Sequence, residues 1–377
     1  MPTIFITIPW FHPAYKAGGP VQSISNMVNE LREGYQFYIF CGNTDLNGLP
    51  ITISSTNEWL PYNDHTKVWY ASKEQRSQQL EEQVKIIQPD IVYMVGLFSW
   101  HFTMVPLLFT QVPQKILSVR GMLHPGALGQ KSWKKQLYIR FLKLTGKHKR
   151  CVFQASDSTE AGFIKAAMGE DVQVKVAGNF PKMHGVLQLP IKQPGELTLI
   201  SIALISPMKN TLLVLQALSA CTSNIKYHIA GPVKEIGYWE ECQAAINLLP
   251  PHIKVTYHKE LPPSEVPAML QQAQVTIIPS KSENFGHSII EALSAGMPVI
   301  TSNNTPWNGL EAAQAGCNVE CSVAALTSAI EFFAAMDSST YNQWRKGSLE
   351  YAKSQLDREV LRLAYGELFG LGVMNDE

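Results

Sequence analysis

Short apolar segments alternate with helix-like segments along the first half of the chain. Residues 3–8 (TIFITI) and 36–41 (QFYIFC) are rich in β-branched and aromatic side chains, as buried strands are. Between them, residues 21–33 have apolar side chains at the spacing of one helical face. Further strand-like segments follow, each after a helical stretch, at 90–95, 115–119, 151–155 and 172–176. This alternation predicts a parallel sheet covered by helices on both faces.

Residues 184–196, HGVLQLPIKQPGE, interrupt the alternation with two prolines and two glycines. We interpret them as a linker, because Pro and Gly end regular elements. The alternation then resumes with strand-like segments at 197–202, 225–230, 253–257, 275–279 and 298–301.

The chain of 377 residues is therefore predicted to form two doubly wound α/β domains. The proposed division is 1–183, the linker 184–196, 197–355, and a C-terminal helical segment, 356–377, that packs back on the first domain. Ligands of such sheets bind at the carboxyl ends of the strands, so we expect the site in a cleft between the two domains.

Composition adds limits on the class of protein. Hydrophobic residues make up 45% and charged residues 16%, which is typical of a folded globular chain. The net charge is zero, so nothing global indicates nucleic-acid binding. Residues 1–183 nevertheless contain 19 basic and 13 acidic side chains, which gives the first domain a basic surface.

The sequence lacks the signals of a membrane protein, a secreted protein and a zinc protein. No apolar run reaches the roughly 18 residues of a membrane span, and the N-terminal MPTIFITIPWF lacks the charged start of a signal peptide. We therefore expect a cytoplasmic protein. Cys317 and Cys321 are four residues apart, but no paired Cys/His set completes a zinc site, so we expect no metal.

Residues 275–301 contain the most informative pattern. A strand ends at Pro279, the polar loop SKSENFG follows, and a helix begins that ends near Gly296. Amides at the start of this helix would bind an anion such as a diphosphate, and Gly286 would let it approach the backbone. Glu283 in the loop and Glu291 two helical turns along could accept hydrogen bonds from sugar and ribose hydroxyls. For an isolated pair of glutamates, a solvated surface position is the more common explanation.

The segment PSKSENFGHSIIEALSAGMPVI resembles the signature of the retaining family-4 glycosyltransferases, which have the GT-B fold and two glutamates eight residues apart. Other segments resemble this family in the same order along the chain, at 11–20, 119–128, 177–181, 205–210, 229–232 and 305–317. The GT-B fold consists of two Rossmann-like domains that face each other across a cleft.

The resemblance implies a role for each matching position. Glu283 would contact the donor sugar, Glu291 the ribose, and Lys209 the diphosphate. The remaining donor-binding positions would contact the donor through their backbone groups. They are Gly18, Gly19, Asn284, Phe285, Gly286 and His287.

The sequence departs from the family pattern at two places. Leu204 occupies the position of an arginine that usually helps to neutralise the diphosphate. The Gly-Gly loop with the 286–287 amides, or a cation such as Lys16 or Arg120, could compensate for its loss. Tyr93 and Val95 occupy the positions of an H-x-H pair. His101 and His124 are the candidate catalytic histidines, and for each a structural or surface role is an equal alternative.

The family mechanism implies transfer of a sugar from a nucleoside-diphosphate sugar with retention of configuration. The departing diphosphate would take the acceptor proton, and neither metal nor separate cofactor would take part. UDP is favoured over GDP as the carrier. The acceptor would be a glycan or lipid-linked glycan in cell-surface polysaccharide or lipopolysaccharide synthesis. An epimerase of the same fold and a non-catalytic nucleotide-sugar-binding protein are the alternatives.

Residues 131–150 contain eight Lys or Arg and no Asp or Glu. An apolar stripe within them follows helical spacing at Trp133, Leu137, Phe141 and Leu144. Such a stripe either packs in the core or, with this charge, lies on an anionic membrane surface. Nucleic acid is the other partner of such a patch, and the glycosyltransferase signature disfavours it. Membrane contact would place the protein peripherally on the inner face of the cell membrane.

Overall fold

The chain is described here by a computed structural model covering residues 1–74, 76–129 and 132–370. It folds into two compact units, Met1–Phe180 with the chain from Arg358 onward, and Pro181–Asp357. Lys131, the first residue of the basic segment, and residues 371–377 of the predicted C-terminal segment lie outside the described residues.

The first unit contains one sheet, and its strands in the described residues are β1 (Thr3–Thr7), β2 (Gln36–Gly42), β3 (Trp59–Asn63), β4 (Thr66–Ala71), β5 (Ile91–Val95), β6 (Gln114–Ser118), β7 (Val152–Ala155) and β8 (Val174–Val176). They are ordered β3-β4-β2-β1-β5-β6-β7-β8, and only the β3–β4 pair is antiparallel. Helices of this unit are α1 (Gly19–Glu30), α2 (Arg76–Ile87), α3 (Val105–Leu108), α4 (Pro125–Gly129), α5 (Ser132–Leu144) and α6 (Ser158–Met168).

Strand β1 shows why this sheet is covered on both faces. Ile4 and Ile6 pack in one apolar layer, whereas Phe5 between them packs in the other, because successive side chains point to opposite faces. All three side chains are fully buried. The short continuous apolar runs of the sequence are therefore strands buried on both sides.

The second unit has a parallel sheet whose strands in the described residues are β9 (Glu196–Ile202), β10 (Asn224–Ala230), β11 (Ile253–Tyr257), β12 (Val275–Ile278), β13 (Val299–Ser302) and β14 (Gly316–Val319). Their order is β11-β10-β9-β12-β13-β14. Helices of this unit are α7 (Thr211–Leu218), α8 (Ile236–Asn247), α9 (Val266–Leu270), α10 (His287–Ser294), α11 (Val323–Ala335) and α12 (Ser338–Ser354). Both units confirm the predicted doubly wound α/β class. Within the described ranges, no helix is both long and apolar enough to cross a membrane.

Three strands were missing from the sequence prediction, β3, β4 and β14. Strand β3 contains Pro61, which interrupts its apolar run and so hides the strand in the sequence. Proline is tolerated there because β3 lies at the edge of the sheet, where a missing N–H breaks no hydrogen bond. Strand β14 has the sequence GCNV, and glycine and asparagine are both uncommon in strands, so the sequence did not predict it. The predicted helix 21–33 is displaced, since α1 begins at Gly19 and ends at Glu30.

Helix α13 (Arg358–Leu368) belongs to the first unit. The Tyr365 hydroxyl accepts a hydrogen bond from Gln154 Nε2 at 3.1 Å, and the Leu368 carbonyl accepts one from Gln114 Nε2 at 3.1 Å. Two arginines of the helix pair with Glu30 of α1. Buried amide–hydroxyl and amide–carbonyl bonds thus join the end of the chain to the sheet of the first unit.

Residues 184–195 form no helix or strand, and by their contacts they belong to the second unit. Lys192 is 1% exposed, and its ammonium donates hydrogen bonds to the carbonyls of Gln193 (2.6 Å), Ala334 (2.8 Å) and Met336 (3.1 Å). It therefore binds the end of α11, where carbonyls lack helical partners. Burial lowers the Lys192 pKa to about 8, against a smaller opposing effect of Glu196.

We predict that Lys192 makes stability rise with pH. Between pH 8 and 10.5, the unfolded lysine keeps a proton that the folded one loses, so the free energy of unfolding increases with pH across this window. From pH 7.5 to 9.5 the wild type should gain about 1–2 kcal/mol relative to Lys192→Met. Urea denaturation at several pH values measures this difference, and parallel pH profiles of the two proteins would contradict it.

Candidate functional site

The loop between β12 and α10 adopts a conformation that requires glycine. Gly286 caps α10 with φ 78° and ψ 58°, in the left-handed region. A Cβ at this position would lie 3.1 Å from Ile289 Cδ1 and 3.2 Å from Trp307 Nε1. The first turn of α10 follows directly, and the amides of such a turn have no acceptor within their own helix. Together with the helix dipole, they make this end of α10 a potential anion site.

The chain after β13 supports this loop. Trp307 Nε1 donates a hydrogen bond to the Phe285 carbonyl, and the two rings pack edge to face at 5.2 Å. The Glu283 amide donates to the Asn304 carbonyl at 3.1 Å. Residues 305–317 resemble the family pattern, which gave no role for Trp307; in the structure its indole holds the loop through Phe285.

Glu283 and Lys209 form an ion pair, although 73 residues separate them in the chain. Their side chains are 11% and 23% exposed, respectively. Ser280 Oγ donates to the same carboxylate oxygen at 3.0 Å. The two residues that the resemblance assigns to sugar and diphosphate are thus brought together, and each holds the other in place.

Backbone contacts join the two loops that carry this pair. The loop from β9 to α7 holds Lys209, and its Met208 carbonyl accepts a hydrogen bond from the Lys281 amide at 2.9 Å. Asn210, left-handed at φ 64°, caps α7 and donates to the Pro279 carbonyl at 3.3 Å. Leu204 in the same loop is half-buried and supplies no charge.

Glu291 lies on α10, and its side chain is 12% exposed. It faces a small pocket formed with Ser288 of the same helix and with residues of β9, β12 and α9, namely Ile202, Thr276, Val266 and Leu270. Most of this lining is apolar, so the carboxylate is the charged group among these side chains.

Residues 190–348, which include Lys209, Glu283 and Glu291, match the model of the family described as glycosyl transferases group 1. This segment belongs to the group 1 glycosyltransferases. No curated protein matches the chain in sequence.

Solved structures show a similarity in fold over nearly the whole chain. Sucrose-phosphate synthase from Thermosynechococcus elongatus superposes with a TM-score of 0.71 at 15% identity, covering 98% of each chain. HepE from Anabaena, solved with UDP and glucose, has a TM-score of 0.70 at 15% identity, over 98% of this chain and 99% of HepE. WaaG, a glycosyltransferase involved in lipopolysaccharide biosynthesis, has a TM-score of 0.65 at 12% identity, over 98% of this chain and all of WaaG. At these identities the shared property is the GT-B fold.

The first unit contains the other residues singled out in the sequence. Gly18 caps α1 with φ 74°, and Gly19 is the first residue of that helix. Their loop follows β1, at the carboxyl edge of the sheet, where ligands of doubly wound folds bind. Their role toward a donor phosphate stays a prediction.

His101 lies in a short π-helical turn, Trp100–Met104, after β5. Ser77 Oγ is 2.7 Å from its Nδ1, and burial, together with nearby Arg76, lowers the His101 pKa. The lowered pKa favours the neutral imidazole, and π-helical turns are frequent at functional sites. His124 immediately precedes α4, and its ring packs edge to face against Phe163 at 5.1 Å.

Arg120 takes part in a polar network that the sequence did not reveal. Its guanidinium donates to the Tyr93 hydroxyl at 2.9 Å and to Asn179 Oδ1, while the Tyr93 hydroxyl bonds to Gln154. Tyr93, which the resemblance places at the first position of the H-x-H pair, is completely buried. Arg120 is thus engaged in the interior of the first unit, which weakens the suggestion that it replaces the missing arginine.

We predict that Gly286→Ala destabilises the protein. An alanine there adopts the left-handed conformation and crowds Ile289 and Trp307, which should cost about 1–2 kcal/mol. Gly237 near the start of α8 is the matched control, since its Cβ would meet nothing within 4 Å. Gly237→Ala should stabilise by up to about 1 kcal/mol. Urea denaturation measures both changes; a Gly286→Ala variant as stable as the wild type would contradict the strained-cap account.

Proposed function

We propose that this protein is a retaining glycosyltransferase. It moves a sugar from a nucleoside-diphosphate sugar, preferably a UDP-sugar, to a glycan or lipid-linked glycan acceptor in cell-surface polysaccharide synthesis. The observation that carries the proposal is the Lys209–Glu283 pair in the loops that precede α7 and α10. It joins a cation for a diphosphate and a carboxylate for sugar hydroxyls at a helix N-terminus that attracts anions.

Each group has a task in breaking the bond between sugar and diphosphate. Negative charge grows on the diphosphate as this bond breaks, and Lys209 with the first amides of α10 stabilises that charge. Glu283 accepts hydrogen bonds from sugar hydroxyls and orients the ring. Glu291 accepts them from the ribose. The acceptor hydroxyl attacks from the face that the diphosphate leaves, and the diphosphate takes its proton, so this route requires neither a metal nor a cofactor.

Two of the similar structures support the finer parts of the proposal. HepE was solved with UDP-glucose, which supports a UDP-sugar donor. WaaG acts in lipopolysaccharide biosynthesis, which supports an acceptor of the cell surface. A non-catalytic nucleotide-sugar-binding protein is the second candidate, favoured by Leu204 at the position of the usual arginine. Turnover assays with UDP-, GDP- and ADP-sugars separate the two candidates.

We predict opposite effects of the two members of the ion pair on free UDP. Lys209→Ala removes a charge-assisted contact, and UDP affinity should fall by about 1.5–3 kcal/mol. Glu283→Gln releases Lys209 from its carboxylate partner, so UDP should bind at least as tightly as to the wild type, although sugar transfer is nearly lost.

Calorimetry with UDP and a transfer assay measure these effects. Lys281→Ala is the control, because Lys281 is an exposed lysine of the same loop whose backbone amide makes the loop contact. Normal UDP binding by Lys209→Ala would place the diphosphate elsewhere. Wild-type turnover by folded Glu283→Gln would remove Glu283 from the sugar site.

Peripheral membrane contact through α5 is part of the proposal. The apolar stripe of this helix is solvent-exposed, with Trp133 at 66%, Leu137 at 62%, Phe141 at 46% and Leu144 at 87%. The opposite side supplies the core contacts, through Leu142, Tyr138 and Ile139. The helix ends at Leu144, shorter than the predicted 131–150, because Gly146 turns left-handed before a short 3-10 turn, Lys147–Arg150. An exposed apolar stripe among lysines and arginines suits an anionic lipid surface.

We predict that the wild type sediments with vesicles containing anionic lipid at low salt and is released as salt screens the charges. Leu144→Ser should weaken this binding, since it removes apolar area from the stripe. Leu248→Ser is the matched control, because Leu248 is 83% exposed but lies after α8 in the second unit. Lys134→Glu with Arg140→Glu should abolish the binding. Sedimentation that ignores lipid charge, salt and these substitutions would contradict membrane contact through α5.

A further inference from the structure

The chain that precedes β9 is fastened to helix α10. The His184 amide donates a hydrogen bond to Ser294 Oγ at 3.1 Å, and the Leu187 amide donates to the Ala295 carbonyl at 3.1 Å. Arg345 of α12 joins the same two segments, since it donates hydrogen bonds to the carbonyls of Leu187 (2.6 Å) and Gly296 (3.1 Å). The backbone of residues 184–187 is therefore held against the second half of α10.

This attachment places the His184 ring beside Glu291. The His184 side chain is 5% exposed, and its Nε2 lies 3.9 Å from Glu291 Oε2. Among the described residues, this buried Nε2 has no hydrogen-bond partner. A buried ring nitrogen without a partner is costly, and a small movement of either side chain would bring it to the carboxylate.

The geometry of Glu291 suggests what this contact does. Ser294 Oγ, which receives the His184 amide, itself donates to the Glu291 carbonyl at 2.8 Å, so the same turn of α10 fixes both residues. Oε2 is the carboxylate oxygen that lies 3.9 Å from the imidazole, and Glu291 also lines the small pocket beside Ser288. Arg345, the charged residue of α12 in this region, is engaged with backbone carbonyls.

We propose that His184 is a positioning residue for nucleotide binding. Its imidazole holds one oxygen of Glu291, so that the carboxylate is already oriented to accept hydrogen bonds from the ribose hydroxyls of the donor. This inference rests on the proposed function, since it assigns the ribose to Glu291. It adds a residue from the chain before β9, outside the segment that contains the family signature.

The alternative is that His184 only fills space in the core, and two substitutions separate these roles. His184→Phe keeps a planar ring of similar size but removes Nε2. His184→Gln retains an amide nitrogen that reaches about the position of Nε2. If His184 only fills space, His184→Phe should bind nucleotide normally. If His184 positions Glu291, His184→Gln should bind nucleotide normally and His184→Phe should not.

The test is UDP affinity by calorimetry for the wild type, both His184 variants, Glu291→Gln, and Glu291→Gln combined with His184→Phe. His184→Phe should weaken UDP binding by about tenfold, His184→Gln by about twofold at most, and His184→Phe should add little in the Glu291→Gln background. In the transfer assay, His184→Phe should raise KM for the donor with kcat nearly unchanged, because ribose contacts stabilise ground and transition states alike.

Two results would overturn the inference and leave the proposed function intact. One is that His184→Phe binds UDP as tightly as the wild type, whereas Glu291→Gln binds it weakly. The other is an equal loss from His184→Phe with and without the Glu291 carboxylate, which would indicate a general packing effect. A wild-type protein that binds no nucleoside diphosphate would overturn the proposed function and the inference together.

Discussion

The ion pair between Lys209 and Glu283 is the interaction on which the site of the second unit depends. It joins the loop after β9 to the loop after β12, and a backbone bond from Lys281 to Met208 joins them again. Without a ligand, each charge is neutralised by the other, so neither is buried alone. In the proposed function, a diphosphate would compete with Glu283 for the Lys209 ammonium, and the released carboxylate would be available for the donor sugar.

This pairing follows from the order of strands in the sheet. β9 and β12 are adjacent and parallel, so the loops that leave their carboxyl ends lie side by side although 73 residues separate Lys209 from Glu283. Gly286 and Asn210 then begin α10 and α7 in left-handed conformations. Hydrogen bonds from Lys281 to Met208 and from Asn210 to Pro279 hold the two loops that precede these helices together.

The sequence predicted the doubly wound α/β class because strands that are buried on both faces consist of continuous apolar residues, which are easily recognised. The edge strand with Pro61 and the short strand GCNV have no such run and were missed. At the site, Glu283, Glu291, Lys209 and Gly286 could be named from the family pattern. Their mutual contacts could not, since the pairing of Lys209 with Glu283 and of His184 with Glu291 depends on which strands are neighbours. The exposure of Trp133 and Leu144 was likewise undecided, because helical spacing shows that a stripe exists but not which side of the helix packs.

The central claim is that the start of α10 and Lys209 together hold the diphosphate of a sugar nucleotide. A crystal structure of the protein with a nucleoside diphosphate tests it most directly. The account predicts phosphate oxygens within hydrogen-bond distance of the amides of 286–288 and of Lys209 Nζ, with Lys209 moved away from Glu283. A nucleotide bound elsewhere, or bound while Lys209 stays paired with Glu283, would contradict it.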